Sequence, residues 1–498
     1  MLNSGLGFLT SGLDFFRFSV PIFLFSILIY RSVTGKFKNG DQKLLILGVL
    51  WVPGSIPLLF PFPAQISKTY GPVFTIYLGS LRVVVLCGYE TVKAALVDQA
   101  DAFGGRAEHP LTERTSKGHG LFFSNGETWS QLRRFSLSTL RNFGMGKRSI
   151  EERIQEEAQC LLEEFRKTKG SPFDPTFFLR RSVSNIVCFV VFGERFDYDD
   201  AEFQTLLRLL NENARRVDTF WVQLYGLFPH LMKHLPGPHN KLFENFEEQK
   251  RYVAEMVQKH EATLEPASPK DYIDAFLIRM QQEKGNPRTI FHQENLLVSA
   301  LDLFFAGTET ISNSLKYGLL IFLKYPCVTR TMQEELDRVV GRDRVPSMED
   351  RMRMPYTDAV IQEIQRFIDI TPVGVPHSVT QDTHFRGFTI PKGTTVFPVL
   401  GSVLHDPTQF QEPENFDPGN FLDESGGFKK NVAFMPFSAG KRACPGEGLA
   451  RMELFLFFTT LLQTFTLSSP ANQELDVTPE YSGFGKVPRQ YQLCLLPR

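Results

Sequence analysis

Two spacings of apolar residues alternate along this 498-residue chain, and the helical spacing dominates. Short runs rich in β-branched residues, 73–78 and 83–87, predict a β-hairpin, and 383–399 predicts a second strand region. Apolar residues recur at helical spacing in five further segments: 129–143, 150–167, 175–192, 201–213 and 242–264. Since neither an internal repeat nor a regular strand–helix alternation is present, the pattern predicts one large, mainly α domain with a minor β part.

The longest helical candidate is Leu296–Tyr325, and Pro326 ends it. A transmembrane helix is the alternative interpretation of so long an apolar segment. Each charge inside a membrane needs a special reason, and this segment carries three, at Asp302, Glu309 and Lys316. We therefore expect a long helix within the globular domain.

The residues in the middle of this predicted helix have low helix propensity. Residues 306–310 read Ala-Gly-Thr-Glu-Thr, which places a glycine and three polar residues where a helix prefers other types. Such local conflicts often mark functional sites. Because Ala306 and Thr310 are four residues apart, they share a face. A small residue beside a hydroxyl would leave room for a ligand and offer it a hydrogen bond.

The N-terminal part of the chain is apolar. Its cleanest stretch, 18–30, is short for a membrane span and contains Pro21, and basic residues follow at 31, 36, 38 and 43. The positive-inside rule then places the rest of the chain on the cytoplasmic side. We predict a retained anchor over 1–35, an atypical hinge over 36–67 and a catalytic domain over 68–498; a cleaved signal peptide or a buried helix are the alternatives.

Composition narrows the function classes. The net charge of −1 argues against a nucleic-acid binder. The six cysteines are scattered without a Cys-x-x-Cys pair, which disfavours a disulfide framework or a zinc site and favours a reducing compartment. Phenylalanine is abundant, with 47 residues, which suits either a large core or an apolar pocket.

One of those cysteines stands in a stretch suited to metal ligation. Residues 437–446 read Phe-Ser-Ala-Gly-Lys-Arg-Ala-Cys-Pro-Gly, and an apolar helical segment follows. If Pro445 takes the first helical position, Cys444 caps a helix whose N–H groups and dipole favour a thiolate. Gly440 allows a turn with positive φ, and Gly446, without a Cβ, lets a flat partner approach the backbone. A haem iron is the obvious flat, thiolate-seeking partner.

Other candidate residues are weak when taken alone. Glu363 and Arg366 are three apart on a helical pattern and would most often be a surface ion pair. Trp129 and Arg133, four apart, would most often be a packing or cation–π pair. Their joint occurrence with the cysteine stretch, in this order along the chain, is far less probable by chance.

Together these segments resemble the cytochrome P-450 superfamily, and most of all its vertebrate microsomal family-2 branch. The 437–446 stretch matches the haem-binding loop, 363–366 the buried glutamate–arginine pair, 306–310 the oxygen-activation segment of the central helix, and 129–133 the helix that holds a haem propionate. The resemblance covers about 68–498. It implies a single-domain cytochrome P-450 fold with the long central helix over a haem b.

The resemblance also implies roles for individual residues. The Cys444 thiolate is the proximal iron ligand, and its electron donation assists O–O cleavage. Thr310 guides protons to dioxygen through water, with Glu309 as relay. The haem site as a whole is expected to comprise nine residues: Arg106, Trp129, Arg133, Ala306, His377, Phe437, Arg442, Cys444 and Gly446. The substrate pocket is expected from Phe103, Phe122, Phe304, Phe305, Val373 and Phe484, although ordinary core is as good an interpretation for any one of these.

The implied activity is a monooxygenase that inserts one oxygen atom of O2 into an apolar small molecule, such as a xenobiotic, steroid or fatty acid. Electrons come from NADPH through a membrane flavoprotein, NADPH–cytochrome P-450 reductase, with cytochrome b5 as a further partner and no nucleic acid. The implied location is the endoplasmic reticulum membrane, with lipid contact near 220–228. A basic docking face is expected from Arg133, Arg134, Arg141, Lys429, Lys430 and Lys441.

Two departures from the family pattern stand out. Asn420 occupies a position where the family usually has an arginine or histidine, and residues 40–66 lack the usual proline-rich hinge. Two other function classes remain open from the residues: a haem-thiolate isomerase or dehydratase that needs no dioxygen, and a non-enzymatic haem sensor or carrier.

Overall fold

A computed structural model describes residues 44–45, 62–78, 81–143, 148–471, 473–482 and 485–498. The predicted anchor over 1–35, most of the predicted hinge and Phe484 lie outside these ranges. Among the described residues, no helix is both long and apolar enough to cross a membrane.

Helices form most of the described chain. Their bounds are α1 Phe62–Tyr70, α2 Tyr89–Lys93, α3 Pro110–Thr115, α4 Gly126–Asn142, α5 Arg148–Lys167, α6 Thr176–Phe192, α7 Ala201–Arg216, α8 Phe220–Leu227, α9 Pro229–Met232, α10 Asn240–Thr263, α11 Tyr272–Gln282, α12 Gln293–Lys324, α13 Pro326–Val339, α14 Pro355–Ile368, α15 Gly401–Leu404 and α16 Glu447–Thr464. The six helices predicted from apolar spacing are α4, α5, α6, α7, α10 and α12, and their observed ends lie within three residues of the predicted ones.

The strands are short. They are β1 Leu44–Leu45, β2 Val73–Leu78, β3 Leu81–Leu86, β4 Gly105–Arg106, β5 His377–Ser378, β6 Thr383–Phe385, β7 Phe388–Ile390, β8 Thr395–Pro398, β9 Phe465–Ser468, β10 Pro479–Ser482, β11 Gly485–Pro488 and β12 Cys494–Pro497. The predicted hairpin is confirmed as the antiparallel pair β2–β3. It belongs to a mixed sheet in the order β1-β2-β3-β8-β5-β4.

The β4 edge of this sheet brings two candidate site residues together. Strands β4 and β5 pair antiparallel, and their register sets Arg106 directly opposite His377. Residues paired across an antiparallel ladder lie about 5 Å apart. The sheet therefore brings together two candidate residues that are 271 positions apart in the sequence.

The central helix α12 is packed on several sides, against α6, α10, α14 and α16. A Cβ on Gly307 would lie 2.7 Å from a methyl group of Val187 in α6, so this glycine permits close helix packing. The hydroxyl of Thr308 is fully buried and accepts a hydrogen bond from Ser184 at 3.2 Å. Part of the local conflict seen in the sequence therefore has a packing reason rather than a catalytic one.

Candidate haem site

The cysteine loop is fixed by glycine geometry and by backbone hydrogen bonds. Gly440 has a φ of 70°, and a Cβ there would overlap the carbonyl oxygen of Leu96, so both its conformation and its space require glycine. The N–H of Cys444 donates to the carbonyl of Phe437 at 2.9 Å, which closes the loop on itself.

The prediction that Cys444 caps the following helix was wrong. Helix α16 begins at Glu447, and Gly446 is its N-cap. The chain turns around the cysteine first, so that the backbone N–H groups of Gly446 and Glu447 point at the sulfur. The dipole argument survives this correction, because the sulfur still faces N–H groups at the start of a helix.

Burial dominates the electrostatics of the cysteine. It raises the pKa of the Cys444 thiol above its ordinary value, although the Gly446 N–H and the Arg133 charge act in the opposite direction. The residue nevertheless keeps accessible surface. A coordinated cation would supply the charge that a thiolate needs here, since a metal deprotonates a coordinating thiol outright.

Three arginines converge beside this loop, and within the part of the chain that the structure describes none of them has a carboxylate partner. Arg133 donates to the carbonyl of Ala443 at 2.5 Å, and Arg442 lies flat on the ring of Trp129, with its guanidinium carbon 3.8 Å from the ring centroid. Burial lowers the pKa of Arg106 to about 9 and that of Arg442 to about 8, and repulsion between the arginines adds to both shifts. Such a cluster calls for an anionic partner.

Unpartnered donors point to the same conclusion. Within the described ranges, Nε of Arg106 and Nη1 of Arg442 are buried without a hydrogen-bond partner. Buried donors of this kind are rare and call for an explanation. Two haem carboxylates would pair with these guanidinium groups, because the arginine fork suits carboxylate geometry. The residues present therefore fit a haem.

His377 completes the cluster from the sheet edge. Its Nδ1 lies 2.7 Å from the carbonyl oxygen of Phe103, so Nδ1 carries the proton and donates. Burial lowers the pKa of His377 to about 3, helped by Arg106 and Arg442. The imidazole is neutral at physiological pH, and Nδ1 is already committed to the protein.

Asn125 is a site residue that sequence reasoning missed. Its Oδ1 accepts from the N–H of Arg106 at 2.7 Å and from Nη2 of Arg442 at 3.1 Å, while its Nδ2 donates to the carbonyl of Arg106. The amide thus joins two arginines that are far apart in sequence. Its signal was its place just before Gly126, the first residue of α4.

On α12, Thr310 is the exposed member of the polar segment. Its side chain is accessible although much of the helix is buried, and its hydroxyl donates to the carbonyl of Ala306 at 2.8 Å. The hydroxyl keeps its acceptor lone pairs for another group. This geometry suits an exchange of hydrogen bonds with water or ligand.

Glu309 has a partner that the sequence did not suggest. Nε of Arg180 lies 3.1 Å from its Oε1, and Nη2 of the same arginine lies 3.1 Å from Oε2. Asn313 adds contacts to its carbonyl and to Oε2. The carboxylate is therefore held toward α6, and a proton relay through Glu309 requires it to leave Arg180.

Glu363 and Arg366 form a pair that is buried completely, not the surface pair that their spacing alone favours. Both guanidinium contacts to the carboxylate are 2.7 Å, and both side chains are 0% exposed. Arg366 also donates to the carbonyls of Leu404, Pro413 and Asn415. The pair therefore fastens the 413–417 segment to α14.

Asn420 does not join this pair. Its Oδ1 accepts from the N–H of Gln411 at 2.9 Å, and its Nδ2 donates to the carbonyl of Asp417. The third contact of the Glu363 carboxylate comes instead from the backbone N–H of Asp417 at 2.9 Å. Main-chain groups therefore complete the hydrogen bonding of the pair, and no charged side chain at position 420 is needed for it.

The predicted pocket residues fall into two groups. Phe103 and Phe304 are almost fully buried in separate core clusters, which is the alternative that the sequence left open. Phe122, Phe305 and Val373 are partly exposed, and the guanidinium of Arg106 lies 5.7 Å from the centroid of the Phe122 ring. The pocket assignment stays a prediction.

The site combines an accessible cysteine, an arginine cluster that needs carboxylates and a central helix with an exposed hydroxyl. These features together fit a haem-thiolate protein. A family model described as Cytochrome P450 matches residues 42–495. The chain belongs to the cytochrome P450 family. Members of this family bind haem b through a cysteine thiolate and act as monooxygenases on apolar small molecules, with electrons from NADPH.

Named relatives agree along most of the chain. Cytochrome P450 2G1 of Oryctolagus cuniculus is 57% identical over 437 residues, which cover 87% of this chain and 88% of the relative. Cytochrome P450 2G1 of Rattus norvegicus is 53% identical, and cytochrome P450 2B4 of Oryctolagus cuniculus is 52% identical; each match covers 93% of this chain and 94% of the relative.

Proposed function

We propose that this monooxygenase holds its haem through Cys444 and through the cluster of Arg106, Arg133, Arg442, His377 and Trp129. The observation that carries the proposal is the pair of buried guanidinium nitrogens without a partner, on Arg106 and Arg442. Their charge would neutralise the two haem carboxylates and so help to hold the haem at the cysteine loop. The bound haem would supply the activation of dioxygen.

Thr310 would transfer protons during the activation of dioxygen. Its hydroxyl can exchange its bond to the Ala306 carbonyl for a water molecule and pass a proton on. Glu309 would supply protons only when released from Arg180, so the ion pair would control how often the relay is available. Ala306, on the same face, leaves the space that substrate and dioxygen need.

A redox partner would dock on the side of the cysteine loop. A surface cleft of about 690 Å³ lies there, lined partly by Ser438 and Ala439 of the loop and by Lys93, Lys430 and Arg451. Its lining also includes Asp358 and Glu447, which form ion pairs with Arg351 and Arg451, respectively. Exposed Arg134, Arg141, Lys429 and Lys441 add positive charge to the predicted face. This supports a flavoprotein reductase with an acidic surface as electron donor, and cytochrome b5 as a second partner.

The enzyme would act at the endoplasmic reticulum membrane, with its catalytic domain toward the cytoplasm. The apolar side chains of Trp221, Leu227, Phe228 and Leu231 are exposed on and around α8 and α9. An apolar, aromatic surface of this kind suits the lipid interface and the uptake of lipid-dissolved substrates.

Isotope labelling tests the reaction class. The holoenzyme, reconstituted with reductase, NADPH and 18O2, should give a product that carries one labelled oxygen atom, with the other label in water. Product formation without NADPH and O2 would instead establish an isomerase or dehydratase. The same protein boiled before the assay serves as control.

A further inference from the structure

A buried ion pair joins two segments that border the predicted pocket. Nζ of Lys486, in β11, lies 3.2 Å from Oδ2 of Asp369, the residue directly after α14. The side chains are 14% and 3% exposed, respectively. The roles assigned above to the haem site use neither residue.

Backbone contacts reinforce the ion pair. The N–H of Lys486 donates to the carbonyl of Ile370 at 2.8 Å. Lys486 therefore contacts both Asp369 and the residue that follows it. A Cβ on Gly485 would overlap that same carbonyl oxygen, which explains the glycine. Strand β11 therefore packs backbone to backbone against the segment after α14, and no side chain fits between them at position 485.

The carboxylate of Asp369 is enclosed on its other side as well. Asp369 ends α14 in the left-handed region, with a φ of 43°, where aspartate is among the few tolerated side chains. A Cβ on Gly401 would lie 2.5 Å from its Oδ2. The side chain therefore has little freedom to rotate away from Lys486.

The segment that follows Asp369 is more exposed than helix α14, which precedes it. Helix α14 is buried almost throughout, whereas residues 370, 371 and 373–376 are each partly exposed. This segment carries Val373, a predicted pocket residue, and leads to His377 in the haem cluster. On the other strand, Lys486 comes two residues after Phe484, a further predicted pocket residue.

The surroundings make both charges necessary. Burial raises the pKa of Asp369 to about 6, whereas Lys486 and Arg366 favour its ionised form. Arg366 already pairs with Glu363, and Glu480 and Tyr481 are the other titratable groups on the β10–β11 hairpin. Burial, together with the charges of Lys486 and Arg366, lowers the pKa of the partly exposed His405 to about 3. Without Lys486, Asp369 would be a buried charge with no close counter-ion, which is strongly unfavourable.

We propose that Asp369 and Lys486 are positioning residues that fix the width of the substrate pocket beside Val373, and thereby determine which molecules fit. The proposal rests on the proposed function and on the predicted pocket, in which Val373 of the 370–376 segment is a wall residue. Apolar pockets discriminate by shape, so a small displacement of one wall changes the preference between ligands of different size.

The test compares ligands that report pocket width through the Soret band. Imidazole reaches the haem without touching the walls, whereas 4-phenylimidazole must fit its ring between them. In Lys486→Met holoenzyme, the ratio of the two Kd values should change by about tenfold, the order that one methylene group contributes in a shaped pocket. Lys486→Arg should keep the wild-type ratio, because it keeps the charge.

Further variants separate positioning from general stability. Asp369→Asn should shift the ratio in the same sense as Lys486→Met, and the double variant should shift it by less than the sum, since neither charge is then left alone. If a single variant fails to bind haem, the double variant carries the test. Lys167→Met, which removes an exposed ion pair with Glu164 on α5, is the matched control and should leave the ratio unchanged.

A wild-type ratio in Lys486→Met, or in the double variant where the single one lacks haem, would overturn the proposal. That failure is distinct from failure of the proposed function. In the latter case wild-type protein itself would show no Soret shift with either ligand and no product with NADPH and O2.

Discussion

Thr310 exposes a hydroxyl in the middle of a helix that is otherwise largely buried, and that contrast defines its role. Replacing Thr310 by alanine removes the hydroxyl but leaves the fold intact, because the one side-chain hydrogen bond of Thr310 among the described residues is to the Ala306 carbonyl. We expect NADPH consumption to continue while product per NADPH falls by about tenfold or more, the range for a lost proton-transfer group.

The measurement is the ratio of product to NADPH, with hydrogen peroxide determined in parallel. Thr310→Ser keeps a hydroxyl and is the control; it should couple nearly as well as wild type. Unchanged coupling in Thr310→Ala would remove this residue from proton delivery.

Individual residues also show how far sequence reasoning reaches. The Cys444 loop could be predicted because its glycines, arginine and proline lie within one short stretch, 440–446. Arg180 and Asn125 could not, because their partners, Glu309 and Arg442, lie more than a hundred residues away. Only the packing of α6 against α12 and the position of the 104–125 segment bring these side chains together.

At the scale of elements, the Glu363–Arg366 pair fastens helix α14 to the 413–417 segment. Glu363→Gln would leave the Arg366 charge buried with carbonyl partners only, and breaking a buried pair in this way costs about 3–5 kcal/mol. We expect the urea midpoint of the holoenzyme to fall clearly, followed by the Soret band and by far-UV circular dichroism.

The control is Glu156→Gln, which breaks the exposed Arg153–Glu156 pair of the same spacing on α5. Exposed pairs contribute little, so this variant should unfold close to the wild-type midpoint. Equal midpoints for both variants would contradict the role assigned to the buried pair.

A second element-scale contact predicts a pH dependence. Asn295 donates to the Ile290 carbonyl and accepts from the Gly120 N–H, which fixes its amide orientation. Its Nδ2 then also donates to Nε2 of His292, at 3.1 Å, so that nitrogen must be unprotonated. Burial lowers the pKa of His292, and the ring of His119, 5.2 Å away, lowers it further, against a smaller opposing effect of Glu294.

The sign follows from proton binding. Below the ordinary value of 6.5 the unfolded chain binds a proton at His292 more readily than the folded protein does. Stability should therefore fall as the pH drops through 6.5, and His292→Gln should flatten that decline. The readout is the urea midpoint between pH 5 and 7.5, with the exposed His384→Gln as control; an unchanged slope in His292→Gln would contradict the assignment.

The positions of six long helices and of the β2–β3 hairpin were predictable, because apolar spacing over long segments is a strong signal. The start of α16 was not, since Pro445 favours a helix start whereas the N–H groups of Gly446 and Glu447 are used by the sulfur. The pairing of Arg106 with His377 was also beyond the sequence, because strands of two residues carry no periodicity.

For the whole molecule, the net charge is only −1, but the charges are unevenly distributed over the surface. The face around the cysteine loop carries exposed Lys429, Lys430 and Lys441. Lys430→Glu should raise the KM for reductase, because it reverses a charge beside the docking cleft, and the difference from wild type should shrink as salt is added.

Lys284→Glu reverses an equally exposed lysine after α11 and is the control, with no expected change in KM for reductase. A salt-independent effect of Lys430→Glu, or an equal effect of Lys284→Glu, would argue against docking on this face. The assay is the initial rate at several reductase concentrations and ionic strengths.

The central claim is that Cys444 ligates the haem iron of this cytochrome P450, and the ferrous carbon-monoxide spectrum tests it most directly. Wild-type protein should show the red-shifted Soret band that a thiolate ligand produces. Cys444→Ser is close to isosteric and should lose that band, while Cys327→Ser, which changes an exposed cysteine, should keep it. A red-shifted band that persists in Cys444→Ser would contradict the account.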